Sequence, residues 1–136
     1  MSKVTYSGNL RTEACHIRSG IFIVTDAPVD NQGKGEAFSP TDLIATALAS
    51  CMLTIMGIVA KRNNFKLIGT TAEVEKIMSS SPRKIEQIKI NIFFIKDFDK
   101  KIRRKLESAA LTCPVSNSLN ASLKKSINLY IHKKKD

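Results

Sequence analysis

The stretch SPTDLIATALASCMLTIMGIVAKR, residues 39–62, decides how the rest of the chain must fold. It opens with a helix-start signal. Ser39 supplies an N-cap oxygen, Pro40 occupies the first helical position, and Asp42 can return a carboxylate to the cap, so that two orphan backbone N–H groups find acceptors. Leu43 to Ala60 then runs for 18 residues without a charge. Lys61 and Arg62 complement the negative end of the helix dipole, and Asn63-Asn64 stops it. At a rise of about 1.5 Å per residue the uncharged run is about 27 Å long, just short of a bilayer core. It is rich in Ala, Thr and Ser, has no Trp or Tyr to mark an interface, and is the one such segment in the chain. No membrane association is expected. A helix apolar on every side must be covered on every side. One sheet covers one face, so the economical cover for the other is a second copy of the chain, and a homodimer is expected.

The flanking segments read as sheet. Residues 3–17, KVTYSGNLRTEACHI, form two short alternating runs about Gly8-Asn9, and GIFIVTD, residues 20–26, adds a third strand. Residues 27–38, APVDNQGKGEAF, are a Pro/Gly/Asn/Asp loop. Its GKG lacks the GxxxxGK[ST] spacing of a phosphate-binding loop. After the helix, residues 65–77 read as a strand, SSSPRK as a turn, and residues 85–95 as a strand in which Ile88, Ile90, Ile92 and Phe94 recur with period two. Residues 97–111 carry a helical stripe of Ile102, Leu106, Ala109 and Ala110. Cys113-Pro114 starts a third helix reaching about Leu123, and SINLYIH, residues 126–132, is a last strand. The order is three strands, a long helix, two strands, two helices and a strand, which is an α+β arrangement in a single domain, residues 1–136.

The net charge is +10, concentrated partly in KKIRRK, residues 100–105, and in Lys124, Lys125 and Lys133 to Lys135. Charge runs of this kind ordinarily solvate a helix face and a tail. There is no Trp, and the aromatics are not interleaved with the basic runs as a base-stacking platform requires, so no nucleic-acid partner is expected. Residues 1–15 have no apolar signal-peptide core. Three cysteines, Cys15, Cys51 and Cys113, fit neither a disulfide scaffold nor a CxxC metal site, and a cytoplasmic protein with free thiols is the expectation. His16 and His132 fall in different strands, so no metal is expected.

Thiol chemistry is the remaining candidate. Cys51, mid-helix in apolar surroundings, reads on its own as packing, and as a nucleophile it needs a cation from elsewhere. Cys113 precedes a helix-starting Pro, where the dipole and free N–H groups favour a thiolate, although a cysteine there is as readily structural. Cys15 reads as strand packing.

GNLRTEA, SPTDLIATALASC and TCPVSNSL, in this order and spacing, resemble the OsmC/Ohr superfamily along essentially the whole chain, with the closest likeness to its less characterised OsmC-like branch. The resemblance implies antiparallel sheets around long central helices in an intertwined homodimer with sites at the dimer interface. It implies a thiol peroxidase acting on organic hydroperoxides, with no bound cofactor and an external dithiol such as dihydrolipoamide as reductant. Carried over, Cys51 is the peroxidatic cysteine, Cys113 the resolving one, and Arg11 the arginine paired with the reactive thiolate, with Arg18 as the second choice. One position departs from the pattern. The organic-hydroperoxide enzymes have a Glu ten residues before the first Cys, holding the arginine; here that position is Thr41. Asp42 is engaged at the helix cap, which leaves Glu36 as the candidate arginine-orienting acid. The departure keeps a second class open: a non-enzymatic protein that binds an apolar or thiol-bearing small molecule at the dimer interface.

Overall fold

The computed structural model describes residues 1–132; the tail lysines 133–135 lie outside them. The chain forms two compact units, Met1–Ile44 and Ala45 onward.

The first unit is an antiparallel sheet of β1 (Ser2–Gly8), β2 (Arg11–His16) and β3 (Phe22–Asp26), in that order. The turn between β1 and β2 is tight. Gly8, Asn9 and Leu10 all take positive φ, at 86°, 53° and 60°. Gly8 adopts this freely, whereas a leucine there is an uncommon conformation that must be held by its surroundings. The Leu10 carbonyl accepts from the Ala27 N–H at 3.0 Å, which supplies the hold and sets where the next residue, Arg11, leaves the turn. Beyond β3, the loop folds back on itself. A Cβ on Gly33 would stand 1.7 Å from the Ala27 carbonyl oxygen, so only glycine permits this approach. The returning chain pairs Phe38 with Thr25 and leads into the long helix α1 (Pro40–Arg62). Its start is the reciprocal cap expected: the Asp42 N–H donates to Ser39 Oγ at 3.0 Å and the Ser39 N–H to Asp42 Oδ2 at 2.9 Å.

The second unit contains the rest of α1 and a sheet of β4 (Thr71–Ser80), β5 (Arg83–Phe94) and β6 (Lys124–Ile131), in that order, with α2 (Lys100–Leu111) and α3 (Pro114–Ser118) between the last two strands. The inward residues of β5, namely Ile88, Ile90, Ile92 and Phe94, are the alternating set seen in the sequence. They form one core with Leu48, Met52 and Met56 of α1, Leu106 and Ala110 of α2, and Cys113. Each large side chain so buried contributes about 1.5–3 kcal/mol.

Within one chain α1 is not covered all round. Ala45, Leu48, Ala49, Met52, Met56 and Ala60 are buried, whereas Ile44, Ala47, Ser50, Thr54 and Ile58 form an exposed stripe at helical spacing. Length and composition alone would let this helix cross a membrane, and it is the one such helix among the described residues. Its buried stripe lies in the core of the second unit.

Other boundaries differ from expectation for identifiable reasons. The strand expected over residues 65–77 begins only at Thr71, because Asn64 and Gly69 take positive φ (57° and 90°) and break the extended run; Phe65 and Leu67 pack on the core from a loop. The second helix starts at Lys100, where Asp99 caps it by accepting from the Ile102 N–H. The third ends at Ser118, five residues long, not near Leu123. The second sheet is mixed: β6 runs parallel to β5. The α2–α3 connection is long enough to return the chain to the starting edge, which a parallel pair requires and a hairpin cannot do.

Candidate functional site

In the first unit Arg11 and Asp26 are directly opposite across β2 and β3. Arg11 Nε and Nη2 donate to the two Asp26 oxygens, each at 2.7 Å, a bidentate fork. Nη2 also donates to Glu36 Oε2 at 3.3 Å. The Glu36 N–H closes the arrangement by donating to Asp26 Oδ2 at 3.1 Å. Asp26 is 1% exposed, and Arg11 keeps 37% of its side chain open. The Arg11 hydrogen bonds hold the Asp26 carboxyl below its ordinary range, against the burial that would raise it. In return, Asp26 lifts the guanidinium still further above neutrality. The result is a permanent cation on a fixed stem, with part of its surface free. Beside it, Ile23, Val24, Glu36 and Phe38 line an open groove of about 600 Å³.

Asp26 is the residue that sequence reasoning missed. The signal was present in the pairing: turns at Gly8-Asn9 and Ser19-Gly20 put the end of GIFIVTD across from Arg11. The acid assigned from sequence, Glu36, does touch the arginine, but from a side chain 65% exposed and at the longer distance. Thr41 Oγ1 lies 3.2 Å from Ser39 Oγ, and Asp42 serves the cap. Arg18 stands exposed in the turn between β2 and β3.

In the second unit α1 brings Cys51 beside Cys113. Cys51 is partly buried against the core that contains Cys113, near enough to influence its thiol, and both are free. Cys113 is the N-cap of α3, as its Pro114 foretold, and its sulfur accepts from the Ser116 N–H at 3.4 Å. The expected thiolate does not follow from that position. Cys113 is fully buried, and burial pushes its thiol above the usual range; the Ser116 N–H pulls the other way, and the neighbouring Cys51 adds to the rise. A one-turn helix end does not outweigh removal from water.

Ser116 is itself held. Lys125 Nζ, from β6, donates to both its carbonyl oxygen and its hydroxyl at 3.0 Å. Cys15 sits in β2, paired with Lys3 and Phe22. Among the described residues no group of three or more His, Cys, Asp or Glu is gathered closely enough to hold a metal ion.

Residues 33–128 match the family described as OsmC-like protein. No curated protein sequence matches the chain. Among solved structures, one named as an osmotic stress induced and detoxification response protein of Psychrobacter arcticus is 52% identical, with a TM-score of 0.92, covering 94% of this chain and 93% of its own. An OsmC-like protein of Mycoplasma pneumoniae is 16% identical with a TM-score of 0.80, covering 97% and 96%. An organic hydroperoxide resistance protein of Legionella pneumophila is 18% identical with a TM-score of 0.73, covering 98% and 96%, and shares the fold. With its own motifs in order and the family match across most of its length, the chain belongs to the OsmC-like family of the OsmC/Ohr superfamily.

Proposed function

We propose that this protein is a thiol-dependent peroxidase that reduces organic hydroperoxides, working as a cytoplasmic homodimer in which each chain acts as one domain. The observation that carries the reading is the adjacency of two free thiols, Cys51 and Cys113, one at the edge of an apolar core and the other sealed in it. A thiol in apolar surroundings needs a cation, and the family resemblance assigns that part to Arg11, which Asp26 fixes in orientation. The Cys51 thiolate attacks the O–O bond; the alkoxide leaves, takes a proton and departs as the alcohol, and Cys51 becomes a sulfenic acid. The Cys113 thiol then condenses with it, forming the Cys51–Cys113 disulfide and releasing water. An external dithiol of the dihydrolipoamide class reduces that disulfide by exchange and is itself oxidised to its cyclic disulfide. The apolar lining favours alkyl hydroperoxides over hydrogen peroxide.

The dimer is part of the proposal on physical grounds. The stripe Ile44, Ala47, Ser50, Thr54 and Ile58 is open in one chain, as are Val4, Tyr6 and Phe22 on the first sheet, and isolated three-stranded sheets need a covered apolar face.

The test is treatment of the reduced protein with one equivalent of cumene hydroperoxide, followed by intact-mass and peptide analysis. Rapid stoichiometric formation of a Cys51–Cys113 disulfide, turnover with dihydrolipoamide, and loss of both in Cys51→Ser are expected. Turnover that survives Cys51→Ser, or the absence of any such disulfide, overturns the mechanism; the second result is the one a non-enzymatic binding protein would give.

A further inference from the structure

We infer that Lys125 is a positioning residue for Cys113, acting through Ser116 to aim the resolving sulfur and to favour its departure as thiolate when the disulfide is opened. The inference rests on the peroxidase reading for its role in a cycle, but its geometry stands by itself. Lys125 reaches from β6 to the Ser116 carbonyl and hydroxyl oxygens, both at 3.0 Å. Ser116 is 3% exposed, and its N–H points at Cys113 Sγ. The chain Lys125, Ser116, Cys113 therefore connects a cation on a strand to a sulfur with no exposed surface.

The length of α3 makes this contact consequential. Five residues form a little over one turn, too short to be stable by its own backbone bonds. Its last carbonyls need partners, and the Ser116 carbonyl accepts both the Leu119 N–H at 3.4 Å and the Lys125 ammonium. The cation thus caps the negative end of the turn whose other end carries Cys113, and so both fixes the turn and favours negative charge on that sulfur. The titratable group acting directly on the thiol is Cys51 from α1, opposed by the Ser116 and Val115 N–H groups; Lys125 from β6 reaches it by way of Ser116, and the remaining core around it is apolar. In disulfide opening, an external thiolate bonds to the Cys51 sulfur, the old S–S bond breaks, and its electron pair leaves on Cys113, which later takes a proton from solvent. A leaving thiolate sealed in the core is unfavourable unless something near it is positive.

The test uses the full chain with Cys15→Ser and Cys51→Ser, so that Cys113 is the single thiol, and follows thiolate absorbance against pH. Lys125→Met is expected to raise the midpoint by roughly half a pH unit or more. Lys125→Arg is expected to restore it. In protein retaining all three cysteines, Lys125→Met is expected to slow dithiol reduction of the disulfide several-fold while leaving the first oxidation of Cys51 at its normal rate. Lys125→Gln keeps a donor and removes the charge, so the midpoint is measurable even if the methionine variant does not fold. An unchanged midpoint in Lys125→Met or Lys125→Gln overturns the inference, as does an equal shift in Lys125→Arg, which would mark packing as the cause. Because this titration needs no peroxide, a wild-type protein that never consumes hydroperoxide overturns the peroxidase reading alone.

Discussion

Arg11 and Asp26 are cross-strand partners on β2 and β3, joined by two hydrogen bonds of 2.7 Å, and Asp26 has almost no surface of its own. This pairing answers the departure at Thr41. A buried acid from the strand beside it grips the arginine with two hydrogen bonds. A cation clamped by a buried, bidentate partner loses little freedom, whereas an exposed acid at 3.3 Å adds a weaker constraint.

Asp26→Asn is therefore expected to reduce hydroperoxide turnover by roughly ten- to a hundredfold, since the guanidinium loses its fixed orientation. Glu36→Gln is expected to cost no more than a few-fold. Steady-state rates of the two variants with cumene hydroperoxide check the ranking; an equal or larger loss in Glu36→Gln would make the exposed acid the one that matters.

The same pair dictates a pH dependence. The folded-state carboxyl of Asp26 is held below its unfolded value, so its contribution to stability is complete above the ordinary carboxylate range near pH 4 and fades as pH falls from there through the folded value. The stability difference between wild type and Asp26→Asn is expected to be constant around neutrality and to shrink below about pH 4. Urea unfolding of both proteins across that interval measures it. A difference that grows on acidification would contradict the assignment.

What could be read from the sequence, and what could not, follows the range of the interactions involved. Local chemistry was legible: the Ser39/Asp42 cap, the Cys113-Pro114 helix start, and the period-two core of Ile88, Ile90, Ile92 and Phe94 each depend on residues within a few positions. The reach of Lys125 to Ser116 and of Asp26 to Arg11 depends on strand register, which no short window contains. Phe65 and Leu67 misled because apolar residues packing on a core from a loop look like a strand until Asn64 and Gly69 are seen at positive φ. The parallel placement of β6 was hidden for a related reason: alternation reports which face a strand buries, not its direction.

Cys113→Ser separates the two oxidation steps. With Cys51 intact, the variant is expected to form one equivalent of sulfenic acid, trapped by dimedone, and no intramolecular disulfide. The hydroxyl enters a position with no exposed surface, so stability is expected to fall by about 1–3 kcal/mol, read from denaturant midpoints. Absence of the dimedone adduct in this variant, with the fold intact, would mean that Cys51 is not the residue oxidised first.

The two faces of α1 make opposite predictions about assembly. Met52 has no exposed surface and packs with Leu48, Met56 and the β5 isoleucines, so Met52→Ala is expected to cost about 2–5 kcal/mol of stability through the cavity it leaves. Ile58 is 43% exposed in a single chain, on the stripe with Ile44 and Thr54. If water were its normal neighbour, Ile58→Lys would be harmless or would raise solubility. If a second copy covers the stripe, the same change buries an ammonium with no carboxylate opposite and drives the chains apart. Sedimentation velocity is expected to show wild type as a dimer and Ile58→Lys shifted toward monomer at micromolar concentration. A dimer equally tight in both would place the subunit contact elsewhere and leave the exposed stripe of α1 as plain surface.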